Sequence, residues 1–92
     1  MVEQTVYRTA EAALANAEQH ANAVHVMLAL ARYDGAVKLI IRDDGVGFDA
    51  AQVAPDRYGL AGMRERALAI NATLAVHSEV GRGTEVVLSV KE

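Results

Sequence analysis

The chain contains the segment Ile40-Ile41-Arg42-Asp43-Asp44-Gly45-Val46-Gly47-Phe48, which carries its clearest structural signal. In it an apolar strand runs into a carboxylate and then into two glycines spaced one residue apart. Strand side chains alternate faces, so Asp43 continues the row of Val37, Leu39 and Ile41, which we expect to be buried. Because an unpaired buried carboxylate is costly and glycine leaves the backbone bare, the stretch predicts a pocket with an acceptor at its base. The alternative is an ordinary strand-to-loop turn with Asp-Gly chemistry.

The composition limits the class of protein. A chain of 92 residues forms one domain, 1–92, and its 52% hydrophobic content is enough for a core. The net charge of −3 provides no basic surface, so we expect no nucleic-acid partner. The absence of cysteine excludes a disulfide framework and a thiol nucleophile. No apolar run reaches the ~20 residues of a membrane span, and there is no signal-peptide pattern. We expect a cytoplasmic domain, either of a cytoplasmic protein or as the cytoplasmic part of a membrane-bound one.

The first element is a predicted helix over residues 6–21. Its apolar stripe repeats at spacings of three and four and consists of Val6, Ala10, Ala13, Leu14, Ala17 and Ala21. Asn16 and His20 are four residues apart and therefore share a face beside this stripe. They are either part of a solvated flank, or an amide oxygen and an imidazole placed to meet a metal–phosphate group.

Two hairpins are predicted. The strands 25–33 and 36–43 are joined by Asp34-Gly35, a strong hairpin signal, and we expect the second face of the first strand to be moderately buried. The strands 74–79 and 84–91 are joined by Gly81-Arg82-Gly83, and the Thr84 hydroxyl lies on the side of the core row. We interpret His25 and His77 as histidines on the sheet surface.

Between the hairpins lie a loop and a second helix. The loop Phe48–Tyr58 is polar, and we expect it to be mobile. The helix begins at Gly59-Leu60-Ala61-Gly62, with Leu60, Met63, Ala67 and Ile70 on its apolar side and residues 64–66 exposed. Free backbone N–H groups and the helix dipole suit this start to a phosphate; the alternative is a helix start that merely contains glycine. Asn71 suits the left-handed residue that ends many helices.

These separated parts suit one nucleotide site. Asp43 can accept from an exocyclic amine, and Thr84 can support the same ring. The helix start at Gly59 and Gly62 can hold phosphates. Asn16 can supply an oxygen to Mg²⁺, which prefers oxygen ligands and is usually bound partly through phosphate, and His20 can reach a phosphate oxygen.

Three segments resemble a known family. Residues 7–21 are similar to the N box of sensor histidine kinases, residues 43–48 to the G1 box, and residues 59–66 with 81–86 to the G2 region. The run Gly-Leu-x-Gly-Met-Arg-Glu-Arg is especially similar to kinases of the nitrate/nitrite-sensor and DesK type. The resemblance implies the Bergerat ATP-binding fold, an α+β two-layer sandwich in which helices cover one face of a mixed, mostly antiparallel sheet.

The resemblance also implies a ligand and its contacts. ATP and Mg²⁺ are the expected cofactors, with Asp43 on the adenine amine, Asn16 on Mg²⁺, 59–63 on the phosphates and 48–58 as a short ATP lid. The expected ATP-binding residues are Asn16, His20, Asp43, Gly45, Val46, Gly47, Gly59, Leu60, Gly62, Met63 and Thr84. The expected partners are a dimerisation and histidine phosphotransfer domain of the same protein and a response regulator. We expect 1–92 to be a domain excised from a longer protein, and monomeric by itself.

The sequence departs from the family at two places. Ala12 stands where the family has a glutamate, and Glu11 cannot replace it because one helical residue is about 100° of rotation; no catalytic residue is therefore assigned. Asn71-Ala72 replaces a usual Gly-Gly, which Asn tolerates. No segment resembles the dimerisation helices that carry the phosphoacceptor histidine. The leading interpretation is the catalytic domain of a histidine kinase; the alternatives are an anti-sigma-factor serine kinase and a degenerate nucleotide-binding or interaction module.

Overall fold

In the part of the chain that the structure describes, two helices alternate with two β-hairpins. The structure, a computed structural model, describes residues 2–19, 22, 25–49 and 59–91. The elements are α1 (Val2–Gln19), β1 (Val26–Tyr33), β2 (Ala36–Asp43), α2 (Leu60–Ala69), β3 (Thr73–Glu79) and β4 (Gly83–Lys91). This arrangement confirms the predicted α+β fold class.

The four described strands form one sheet in the order β1-β2-β4-β3. All three pairings between them are antiparallel, whereas the expectation was a mixed sheet that is mostly antiparallel. Asp34 and Gly35 join β1 to β2 with φ values of 54° and 76°. Two consecutive positive φ angles are those of a type I′ turn, whose twist matches the flanking strands.

The core lies between the helices and one face of the sheet. Alternate residues of β2 and β4 face the helices, and the predicted row of Leu39, Ile41 and Asp43 is buried. Leu60, Met63 and Ala67 of α2 are buried as predicted. The buried cluster comprises Ala13, Leu39, Ile41, Leu60, Met63, Ala67, Val86, Leu88 and Val90.

Helix α1 turns most of its predicted stripe toward the core: Ala13 and Ala17 are buried, and Val6 and Ala10 pack against the core partly buried. It begins at Val2 rather than Val6, and its buried positions are Thr5, Thr9, Ala13 and Ala17, which recur every four residues. Leu14, predicted to lie in the stripe, is 40% exposed. Alanine and threonine are small, so the helix can lie close to the sheet on this side, and a leucine is left at its edge. The predicted continuation of the helix to residue 21 lies outside the described residues.

Strand β1 is exposed at seven of its eight positions. On its second face Met27 is 41% exposed and only Ala29 is half-buried, so the expected moderate burial of that face is wrong except at Ala29. Val26, Leu28 and Leu30 face the helix side but are 44%, 47% and 60% exposed. The helix α1 packs on β2 and β4, one and two strands further in. It therefore leaves the outer strand open, and a groove of about 780 Å³ separates α1 from β1.

Candidate nucleotide site

Three apolar rows end in a polar side chain at the same end of the sheet. On β2 the row finishes at Asp43, on β4 it begins at Thr84, and on β3 it finishes at Ser78. The register places Thr84 opposite Asp43 on one side and opposite Ser78 on the other. Opposite residues of antiparallel strands present neighbouring side chains on the same face. The helix side of the sheet therefore ends in one polar line across three strands.

Asp43 is the carboxylate of this line, and it is buried, with 8% of its surface exposed. Its Oδ1 accepts a hydrogen bond from the backbone N–H of Gly45 at 2.9 Å. The turn chemistry offered as the alternative interpretation is therefore present, and it uses one carboxylate oxygen. Among the described residues no partner is recorded for Oδ2, so the second oxygen can accept from a ligand.

The segment 44–49, here called the glycine loop, is held against the turn between β3 and β4. Gly47 has a φ of +66°, and a Cβ built on it would lie 2.0 Å from the carbonyl oxygen of Glu79. The carbonyl of Val46 accepts from the N–H of Gly81 at 2.6 Å. Glycine is required at position 47 because both the backbone angle and the close approach exclude a side chain.

Gly83 makes the second close backbone contact. Its φ is +84°, and a Cβ there would lie 2.1 Å from the carbonyl oxygen of Asp43. The start of β4 thus lies directly against the end of β2. This contact fixes the spacing between Asp43 and Thr84, the two side chains predicted to recognise a base.

The start of α2 is anchored under the same part of the sheet. Leu60 and Met63 are buried in the core together with Ile41 and Val86, which precede Asp43 and follow Thr84 by two residues along their rows. Gly59, the N-cap, has a φ of 69° and makes no side-chain capping bond. A Cβ on Gly59 would meet nothing within 4 Å. As far as the described residues 2–19, 22, 25–49 and 59–91 are concerned, no side chain covers the predicted phosphate-binding turn at Gly59.

Gly62 differs from Gly59, because the guanidinium of Arg66 packs beside it. The Nη1 of Arg66 would be 3.3 Å from a Cβ at position 62. Arg66 is half-buried, whereas it was predicted to be exposed with Arg64 and Glu65, which are exposed. A residue one turn further along α2 reaches back over a glycine, where no side chain blocks it.

The predicted metal ligand lies on α1. Asn16 is half-buried next to the buried Ala13 and Ala17. In the part of the chain that the structure describes, no three His, Cys, Asp or Glu side chains cluster closely enough to hold a metal ion. The role of Asn16 toward Mg²⁺ stays a prediction, and His20 and residues 50–58 of the expected lid lie outside the described residues.

Ala12 packs against the core and Glu11 points away from it. Ala12 is partly buried on the cluster of apolar side chains, while Glu11 is exposed. The rotation between consecutive helical residues therefore separates the two as expected.

Both histidines of the described sheet region are exposed, as predicted. His25 also bonds Asp44: its Nδ1 lies 2.8 Å from Oδ2, and its backbone N–H donates to Oδ1 at 2.8 Å. Across the sheet, Arg42 pairs with Glu85 on the face away from the helices.

A cavity of about 530 Å³ lies along this end of the sheet. Its wall includes Asp43, Ser78 and Thr84 and residues of the opposite face.

Ser78 is the site residue that the sequence interpretation missed. Its Oγ accepts from the N–H of Phe48 at 2.8 Å, donates to the carbonyl of Gly83 at 3.1 Å and lies 2.7 Å from Thr84 Oγ1. The signal was present: Ser78 continues the row of Leu74 and Val76, just as Asp43 continues an apolar row on β2. The signal is weak, because serine at a strand end is also common as a turn residue.

The chain belongs to the family described as histidine kinase-, DNA gyrase B- and HSP90-like ATPases. The family model matches residues 1–92. The match covers the whole chain, so the chain as a whole is a domain of this ATPase family.

Curated relatives of this chain are sensor kinases. The signal transduction histidine-protein kinase/phosphatase DegS of Brevibacillus brevis is 30% identical over 89 residues, which is 97% of this chain and 23% of DegS. The sensor histidine kinase LiaS of Bacillus subtilis is 35% identical over 89 residues, which is 97% of this chain and 25% of LiaS. The chain thus spans about a quarter of the length of these relatives.

A solved structure supports the same fold. The ATP binding domain of PrrB from Mycobacterium tuberculosis matches with a TM-score of 0.74 and 27% identity over 98% of this chain and 65% of that one. Within the described helices, 2–19 and 60–69, none is both long and apolar enough to cross a membrane.

Proposed function

We propose that this chain binds Mg-ATP as the catalytic domain of a sensor histidine kinase. The observation that supports it most directly is the polar line at the end of the apolar, helix-facing side of the sheet, where within the described residues only Oδ1 of Asp43 has a partner. A base amine would bind at Asp43 and Thr84, and the triphosphate would lie toward the bare start of α2 at Gly59.

The domain supplies position and charge rather than covalent chemistry. Phosphoryl transfer depends mostly on holding the phosphates in line and neutralising their charge. The N–H groups at the start of α2, Asn16 and a bound Mg²⁺ would provide this, with His20 near a phosphate oxygen. The γ-phosphoryl group would then pass to a histidine on the dimerisation domain of the same natural protein, and from there to a response regulator. The location proposed for this domain is the cytoplasm.

Binding is tested by calorimetric titration with Mg-ATP and ADP. We expect dissociation constants of about 10 µM to 1 mM, which corresponds to roughly −7 to −4 kcal/mol. Asp43→Asn should weaken binding by about tenfold or more, because it removes the charge and can place an amide N–H toward the base amine. Asp34→Asn is the matched control, since it makes the same change in the β1–β2 turn. Equal affinity of the Asp43 variant and the unaltered chain would contradict the adenine assignment.

The role of Asn16 is tested separately by the metal. Asn16→Ala should weaken binding of ATP in the presence of Mg²⁺ and leave binding in EDTA nearly unchanged, because the amide oxygen acts through the ion. A loss of the same size in both conditions would show that Asn16 acts on the fold or on the nucleotide directly.

The second candidate function is a nucleotide-binding module without kinase activity, and Ala12 favours it. Position 12 lies on the core side of α1 and is an alanine. No acid is therefore present at the position where the family has a glutamate. Mixing the chain with the phosphoacceptor domain of its natural protein and Mg-ATP, and then measuring phosphohistidine, separates the two. Phosphohistidine formation supports the kinase; nucleotide binding without it supports the module.

A further inference from the structure

Three hydrogen-bond contacts meet at the hydroxyl of Ser78, and they determine where each proton goes. Phe48 N–H can only donate, and the carbonyl of Gly83 can only accept. A serine hydroxyl has one proton and two lone pairs. Its proton therefore goes to Gly83, and its lone pairs accept from Phe48 and from Thr84 at 2.7 Å. The single proton of the Thr84 hydroxyl is thus already in use.

Asp43 and Thr84, which lie opposite each other on β2 and β4, are here called the acceptor pair. Thr84 has only lone pairs left to present toward Asp43, its opposite residue on β2. A carboxylate accepts and does not donate, and Asp43 already accepts from Gly45 through Oδ1. A base that reaches this pair meets acceptors from both side chains.

We propose that Ser78 is a positioning residue that fixes the Thr84 hydroxyl as an acceptor and so makes the site select 6-amino over 6-oxo purines. The inference rests on the proposed function, because it concerns the base of the same nucleotide. An exocyclic amine carries two N–H groups and can satisfy both acceptors. A 6-oxo group would direct its own lone pairs at them, and a polar group left unpaired in a buried site costs binding energy.

Removal of the serine hydroxyl has two separable effects. The N–H of Phe48 loses its partner, which loosens the glycine loop and weakens binding of every nucleotide alike. In addition, Thr84 is released and can rotate its proton toward the base. Only the second effect changes the ratio between a 6-amino and a 6-oxo ligand, so this ratio distinguishes a positioning role from a structural one.

The experiment measures affinity for Mg-ATP and Mg-ITP, which differ in the group at position 6 and the proton on N1. The unaltered chain should prefer ATP, and Ser78→Ala should reduce the ITP-to-ATP ratio of dissociation constants by about fivefold, the equivalent of one hydrogen bond. Ser78→Thr keeps a hydroxyl and should restore the ratio. Ser89→Ala, on the opposite face of the sheet, is the control and should leave the ratio unchanged.

Thr84→Val gives a second route if Ser78→Ala does not fold. This variant removes the lone pairs of the Thr84 hydroxyl, while Ser78 keeps its hydrogen bonds to Phe48 and Gly83. The ITP-to-ATP ratio of dissociation constants should therefore fall, as it does in Ser78→Ala. An unchanged ratio in the folded variants, with both affinities reduced equally, would overturn the inference and leave the proposed function intact. Binding of neither nucleotide by the unaltered chain would overturn both.

Discussion

Gly47→Ala is expected to destabilise the domain through one backbone contact. A Cβ at position 47 would lie 2.0 Å from the carbonyl oxygen of Glu79, and real Cβ contacts essentially never fall under 3.0 Å. The glycine loop must therefore move away from the β3–β4 turn by at least about 1 Å. The Cβ is fixed to the backbone of residue 47, and the atom that it meets is a backbone oxygen. No flexible side chain can therefore move to relieve the contact.

The size of the effect follows from what this displacement breaks. A φ near +66° costs an L-residue roughly 1–2 kcal/mol. Moving the loop by 1 Å stretches the bonds Gly81 N–Val46 O and Phe48 N–Ser78 Oγ, now 2.6 and 2.8 Å, out of range. At about 1 kcal/mol for each bond, the total loss is about 3–4 kcal/mol. A domain of this size has only about 5–14 kcal/mol of stability.

Urea denaturation followed by circular dichroism measures the loss, with Gly35→Ala as the matched control. Gly35 also has a positive φ, +76°, but a Cβ there meets nothing within 4 Å. That variant should lose only the cost of placing an L-residue at positive φ, roughly 1–2 kcal/mol. If the two variants lose the same free energy of unfolding, the close approach at Glu79 does not constrain the loop and the reasoning is wrong.

Four further variants should change stability according to the burial or exposure of the altered side chain, each measured by the same denaturation assay. Met63→Ala should cost about 2–5 kcal/mol because the side chain is fully buried; Leu68→Ala on the same helix, 78% exposed, should cost under about 0.5 kcal/mol. Leu30→Ala should cost under about 1 kcal/mol although it lies on the helix side of β1, since it is 60% exposed; a core-sized loss would show that β1 is covered. Arg42→Ala should cost at most about 1 kcal/mol, less at high salt, because its ion pair with Glu85 is solvent-exposed.

The elements and most of the site could be predicted from the sequence because local chemistry specifies them. Asp34-Gly35 permits the two positive φ angles that a tight hairpin needs, and this turn sets the register of β1 on β2. Once β2 is in register, the period of two places Asp43 on the buried face. The left-handed φ of Asn71, 59°, was likewise predictable from its residue type.

The parts that could not be predicted depend on packing between elements. The choice of Thr5 and Thr9 over Leu14 for the buried face of α1 depends on how closely the helix approaches the sheet, which periodicity does not give. The exposure of Leu28 depends on which strands α1 covers. Neither quantity is a property of the segment itself, so tertiary contacts decided both.

Ser78 shows how the site depends on contacts across the whole sheet end. The side chain belongs to β3, its partners belong to the glycine loop and β4, and no local pattern joins the three. Since its contact with Phe48 helps hold the glycine loop and its contact with Thr84 directs a proton, loop stability and base selection share one hydroxyl. A ligand that needs the glycine loop closed must therefore stabilise the β3–β4 turn as well. Nucleotide binding should then protect the amides of Phe48 and Gly81 from hydrogen exchange together, whereas protection of one without the other would show that the two contacts open independently.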